Sequence, residues 1–357
     1  MRSHLWKYFF FTAATAFAQM QIPMLGYLPD AGSLRPILGI PSAGAIGNPL
    51  VTDREFSLVV LLPGRSAALA VEKESGDTVV LGVRAETAMA VTRMEGGLPP
   101  APDRIDVSPS GAAAILTNTA EGRIRVVTGL PDAPVVAREI DTAFVGEAPT
   151  ALAVADDGEW VVGIWPAGVY AFGPRQQAMA LPISGDVSAL AFFHGGQDLA
   201  LAGATGIYRV AGIGGLPLVT TLYPPPLREV PPDSPPPYES PISIAITPDN
   251  QRLLAVLRSS GGIASVDLAT GQPTVTACEC VPVGLHALGG TVFRLTALGG
   301  GSIKIFDAAS DSTWFVPLAL PQGFKGFGKG GKPPVTPIER PRQGLGSELL
   351  FDKGAER

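Results

Sequence analysis

Hydrophobic residues in this chain come in short runs of about four to eight, each closed by a Gly, Pro, Asn or Asp turn. The clearest block spans residues 243–272, SIAITPDNQRLLAVLRSSGGIASVDLATGQ. SIAIT precedes the turn Pro248-Asp249-Asn250, RLLAVL precedes Gly261-Gly262, and IASVDL precedes Thr270-Gly271; PTVTACEC follows as a fourth run. Alternating runs this short, joined by turn residues, predict the strands of an antiparallel meander.

The block recurs. First strands are expected from Ser57 (SLVVLLPG), Arg104 (RIDVSPSG), Ala151 (ALAVADDG), Ala189 (ALAFFHGG), Ser243 (SIAITPDN) and Gly284 (GLHALGG). Their mean spacing of about 45 residues is that of one four-stranded unit. Second strands read AALAVE, AAILTN, WVVGIW, LALAGA, RLLAVL and TVFRLT, and third strands DTVVLGV, RIRVVTG, GVYAFG, GIYRVAG, IASVDLA and SIKIFDA. The fourth strands AMAVTR, VVAREI, MALPI, PLVTTL, PTVTACEC and STWFVPL are less regular, as an outer edge allows. Ahead of these six units, residues 24–50 read as the second, third and fourth strands of a unit without its first. A lone four-stranded sheet has two apolar faces and cannot bury both. Radial stacking buries each face against a neighbour, and closing the ring removes the exposed ends. The fold class is therefore all-β, a β-propeller of four-stranded antiparallel blades. Seven blades are expected, with the partial N-terminal blade closing the ring against the blade that starts at Gly284; six is the alternative.

ITPDNQRLLAV followed by GGIASVDLATGQ resembles the YVTN-type, WD40-like propeller repeat, and RIDVSPSGAAAILTN and SIKIFDAAS resemble it more loosely. The resemblance covers about 265 residues as architecture. Such propellers include surface and periplasmic binding proteins, lactonase-like enzymes and quinoprotein relatives, so the resemblance implies a fold and leaves the function open.

Composition refines this picture. Gly 43 and Pro 35 would imply disorder if scattered aperiodically, but they punctuate apolar runs in a chain that is 46% hydrophobic. Two segments break the rhythm. Residues 222–241, LYPPPLREVPPDSPPPYESP, form a Pro-rich insertion with polyproline II character, read as a stiff interblade linker or a recognition loop. Residues 321–357 have no strand or helix periodicity and read as a disordered Gly/Pro-rich tail. At the other end, Arg2 and Lys7 give a basic start to an apolar run, residues 8–18, too short to cross a bilayer, and Ala16-Phe17-Ala18 is a small-x-small cleavage site. Residues 1–18 are expected to be a signal peptide, residues 19–320 the propeller, and the protein exported: secreted, periplasmic or at the cell surface. No later run is long enough to span a membrane.

Charge argues against nucleic acid. Residues 19–320 carry 17 Lys and Arg against 28 Asp and Glu, whereas residues 321–357 carry 7 against 4. An acidic body repels a phosphate backbone, and the basic groups of the tail are too sparse to offset it. A monomer is expected.

Chemistry is thinly signalled. The tail's GFGKGG matches G-x-G-x-x-G but precedes no helix, and GFKGFGKG places Gly330 where a phosphate loop needs a hydroxyl. No cofactor and no catalytic set is read from the sequence. Cys278 and Cys280 lie two residues apart, where a regular strand holds the Cα atoms too far apart for an easy bond. An intrachain disulfide needs a turn at Glu279; free or intermolecular thiols and half a metal site stay open. His286 and Asp106 align on first strands and are candidates for a polar site near the ring axis, beside the ordinary reading of hydrogen-bonded channel wall. His194 falls in the turn between the first and second strands of its unit, and Asp156-Asp157 occupies a turn whose ordinary reading is solvated. Trp165 and Tyr238 are the aromatic candidates for a ligand face.

The leading expectation is an exported, non-catalytic propeller that binds or scaffolds a protein, a glycan or a small molecule. The rival is a lactonase-like or quinoprotein-like enzyme drawing on Asp103, Asp106 and Glu147; a cell-surface protein tethered through its tail is a third reading. Amino-terminal sequencing of the exported chain is expected to give Gln19 as the first residue, and a product that retains Met1 would overturn the leader reading.

Overall fold

The computed structural model describes residues 23–319, apart from 31, 65–66, 86–87, 93–100, 176–177, 184–185, 224–239, 258–259 and 299–300. The leader, the tail, and Tyr238 with most of the Pro-rich insertion lie outside the described residues.

Seven sheets form a seven-bladed propeller: six have four strands, one has three, and within each the strands pair in chain order as an antiparallel meander. Blade 1 comprises Met24–Asp30, Ser33–Ile40 and Ala43–Ile46. The inner strands of blades 2 to 7 are Phe56–Leu61, Arg104–Val107, Ala151–Val154, Val187–Phe192, Pro241–Ile246 and His286–Gly289. Second strands such as Ala67–Glu72, Val161–Trp165 and Leu199–Gly203 are buried at every residue. Both of their faces meet neighbouring blades, so they read as continuous apolar runs and not as alternation. The outer strand Val135–Asp141 is mostly exposed.

Among the described residues the buried hydrophobic side chains fall into seven clusters, one at each junction between adjacent blades. Leu254, Val256 and Ile263 of blade 6, for example, pack with Phe293, Leu295 and Phe306 of blade 7. The ring closes the same way. Leu28, Ile37 and Ile46 of blade 1 pack with Val292, Ile303, Ile305 and Val316 of blade 7. A parallel bridge pairs Ile46 with Leu318, and the Ala319 N–H donates to the Ile46 carbonyl at 2.8 Å.

Blade 1 corrects one expectation. Its strand Met24–Asp30 is the innermost, with Tyr27 and Pro29 lining the central channel, so the strand it lacks is the fourth and not the first. Alternation along MLGYLPD does not separate an inner strand from a second one; contact with the neighbouring inner strands decides it. Gly26 marks that contact. Its φ is +146°, and a Cβ there would lie 2.6 Å from the carbonyl oxygen of Leu288 in the inner strand of blade 7.

The recurrent turn residues earn their place through local bonds. Asp249 Oδ1 accepts from Thr247 Oγ1 at 2.6 Å and from the Gln251 N–H at 3.0 Å. Asp267 Oδ1 accepts from the Ala269 and Thr270 N–H groups at 3.0 and 2.7 Å. Asp307 repeats this at the Ala309 N–H, 3.0 Å. These are Asx turns that reverse the chain, Asp249 between the first and second strands of blade 6 and Asp267 and Asp307 at the ends of third strands.

Gly26→Ala is expected to cost about 2 kcal/mol or more, because positive φ and a backbone clash add. Gly271→Ala, at φ +70° with nothing within 4 Å of the added carbon, is expected to cost about 1 kcal/mol. Urea denaturation of the two variants checks the order, and equal losses would overturn the close-approach argument.

Candidate functional site

The inner strands of all seven blades enclose a central channel of about 880 Å³, opening among the turns that join first to second strands, including Pro63-Gly64, Ser108-Pro109-Ser110, His194 and Pro248. Its wall is mostly apolar: Val60, Ala153, Ala191 and Ala245 occupy one register position, opposite Leu69, Val162, Ala200 and Leu254 of their second strands. Polar side chains replace the aliphatic ones in two blades. Asp106 faces Ile115 in blade 3, and His286 faces Arg294 in blade 7, at the same register position. Asp106, His286 and Arg294 all line the channel.

Asp106 is held by Arg104 two residues earlier on the same strand face. Arg104 Nε donates to Oδ2 at 2.6 Å and Nη2 to Oδ1 at 2.9 Å, while Nη1 donates to the Thr150 carbonyl of the next blade at 3.2 Å. Burial raises the Asp106 pKa, with the hydrogen bonds and charge of Arg104 acting against it. His286 is solvent-exposed where it opens onto the channel. Desolvation, then the neighbouring Arg294 charge, lowers its pKa from 6.5 to about 4, so it is neutral near pH 7. Desolvation also lowers the Arg294 pKa.

The mouth is built by links between blades that sequence reasoning passed over. Asp156 of blade 4 accepts from the Ser110 N–H of blade 3 at 2.7 Å and from the Gly195 N–H of blade 5 at 2.6 Å. Burial opposes its charge, yet these bonds hold its pKa below the ordinary carboxylate value. This corrects the reading of Asp156 as part of a merely solvated turn. Asn250 of blade 6 brackets His194 of blade 5: its Oδ1 accepts from the His194 N–H, and its Nδ2 donates to the His194 carbonyl, both at 2.9 Å. His194 is thus held at the rim through its backbone.

Other candidates lie elsewhere. Trp165 is a correction: it is 2% exposed and packs edge-on against Tyr170 and Phe172, at centroid distances of 5.9 and 5.7 Å, in the junction of blades 3 and 4. An apolar ring at the end of a second strand is drawn inward with the rest of that strand, so it presents no ligand face. Asp103 Oδ2 accepts from the Thr119 N–H at 3.0 Å and serves a turn. Glu147 is exposed in the connection between blades 3 and 4. Neither lines the channel, and no group of three or more His, Cys, Asp or Glu side chains suited to a metal occurs among the described residues. Cys278 and Cys280 are disulfide-bonded, with Cα atoms 5.0 Å apart. The outer strand stops at Ala277 and Glu279 takes φ +50°, which brings the two side chains together. No helix among the described residues is long and apolar enough to cross a membrane.

Solved structures place this architecture among known propellers. Apo AztD from Citrobacter koseri superposes with a TM-score of 0.52 at 11% identity, covering 82% of this chain and 81% of that one. A protein from Lactobacillus plantarum gives 0.52 at 13% identity, covering 83% and 96%. The likeness is one of fold. No protein-family model matches the chain, and no curated protein matches it.

The channel geometry sets the sign of one pH effect. His286 stays neutral in the folded protein down to about pH 4, whereas it gains a proton near 6.5 when unfolded. Between those values the unfolded chain binds the extra proton, so this residue's contribution to stability is present above pH 6.5 and is lost as the pH falls toward 4. NMR titration is expected to place His286 near 4 and to move it upward, though still below 6.5, in Arg294→Met. A midpoint at 6.5 in the unaltered protein would show that the ring is freely hydrated.

Proposed function

We propose that this chain is an exported, non-catalytic β-propeller of the YVTN repeat type that binds a ligand in its central channel. The observation that carries the reading is the channel itself. Its volume of about 880 Å³ suits a small molecule, and its walls are aliphatic with a few polar groups at fixed places. Paired first and second strands hold those groups, and the Asp156 and Asn250 links brace the rim, so the seat is formed before a ligand arrives. Of the three ligand classes open to a propeller of this kind, the enclosed channel favours the small molecule.

A hydrolase would need a carboxylate free to hold calcium or to activate water. Asp106, the channel carboxylate, has both oxygens engaged by Arg104, and calcium takes about six to eight oxygen ligands. Export is supported by the Cys278–Cys280 bond, which persists in oxidising compartments. The repeat type is supported by the Asx turns at Asp249, Asp267 and Asp307, which recur at the motif positions.

Thermal melting with and without millimolar calcium is expected to leave the midpoint unchanged. A rise of several degrees, abolished by Asp106→Asn, would overturn the non-catalytic reading in favour of a lactonase-like enzyme.

A further inference from the structure

We propose that the channel ligand is a small organic carboxylate whose acid group pairs with Arg294; this rests on the channel being the ligand seat. The second strands of the other complete blades carry Leu69, Ile115, Val162, Ala200 and Leu254 at the position where blade 7 carries Arg294. An aliphatic side chain there satisfies the fold, so a guanidinium is surplus to packing.

That guanidinium lines the channel and makes no ion pair or hydrogen bond with a described residue. Its counterparts are occupied: Arg35 with Asp30, Arg54 with Glu72, Arg123 and Arg125 with Glu139, Arg209 with Asp198, and Arg252 with Asp311. Arg138 donates to backbone carbonyls. Arg175, which also has no partner among the described residues, stands exposed in a turn, where water serves it. Arg294 is half-buried in the channel wall and has gained no anion in return for the water it lost. A partly desolvated charge without a partner carries a share of the cost of a buried one. A ligand carboxylate would restore the balance, accepting the two parallel N–H groups of the guanidinium fork.

The surroundings narrow the ligand further. Asp106 adds no free charge, being matched by Arg104, and His286 beside Arg294 is neutral. One cation therefore faces the cavity, which balances a monoanion; a phosphate dianion would leave a second charge in a desolvated site. Val60, Ala153, Ala191, Ala245 and Leu288 then meet an apolar body. The ligand class is a carboxylic acid with an aliphatic or aromatic frame.

Isothermal titration of the intact protein with hexanoate, hexanamide and hexylammonium tests this. Hexanoate is expected to bind in the millimolar range and hexanamide about tenfold more weakly, the scale of one charge-assisted pair; hexylammonium is expected not to bind. Arg294→Met, whose side chain suits a position held elsewhere by Leu69 and Leu254, is expected to lower hexanoate affinity about tenfold and leave hexanamide unchanged, while Arg294→Lys retains the preference for the acid. Equal binding of acid and amide, or undiminished hexanoate binding by a folded Arg294→Met, overturns the carboxylate inference and leaves the channel seat standing. Ala153→Trp, which fills the channel, separates the two readings: hexanoate affinity unaltered by it, or no binding of any probe to the unaltered protein, overturns both.

Discussion

Burial of sheet against sheet is the constraint on which everything else here depends. No blade carries its own core; each apolar cluster is assembled from two neighbours, and the seventh joins the first blade to the last. At about 25 cal/mol per Å² of apolar surface, a face left open anywhere would be a standing cost, so the ring is the arrangement in which no face is left over. The channel follows from the same constraint. Seven inner strands packed this way cannot meet at the axis, and the space they leave is lined by whatever their axial positions carry.

Those axial positions are where function has room to differ from folding. The strands outside the innermost one of each blade are fixed by packing, by edge exposure or by turn chemistry. Along the inner strands the residue facing the axis meets little, so Val60, Ala153, Ala191 and Ala245 are permitted and not demanded. Asp106 and His286 use that freedom. Arg294 goes further, placing a charge on a second strand at a position its sister blades fill with hydrocarbon.

Much of the architecture was legible because it is local. The turn residues Asp249, Asn250, Asp267 and Gly271 announce chain reversals through bonds to their own neighbours, and the apolar second strands announce double burial. What escaped were features that exist only between blades. The order of strands in blade 1 depends on which of them meets Leu288. Asp156 looked like any turn carboxylate until Ser110 and Gly195, both far along the chain, supplied its donors. Trp165 looked like a loop aromatic and proved to be a strand terminus turned inward. Arg294 could have been found: TVFRLT carries a cation where the second strands of the other complete blades carry Leu69, Ile115, Val162, Ala200 and Leu254, an anomaly visible once the repeats are aligned.

The parallel bridge between Ile46 and Leu318 has a mechanical corollary. Six of the seven junctions are crossed by the backbone, which keeps the separated sheets tethered and quick to re-dock. The seam between first and last blades has no such tether; hydrocarbon contact and a short clasp of main-chain bonds hold it alone. A chain cut short of Leu318 would sacrifice that clasp and leave the seam to the hydrocarbon contacts alone. The two extremities of the ring, far apart in the polypeptide, thus meet in the one contact that closes it.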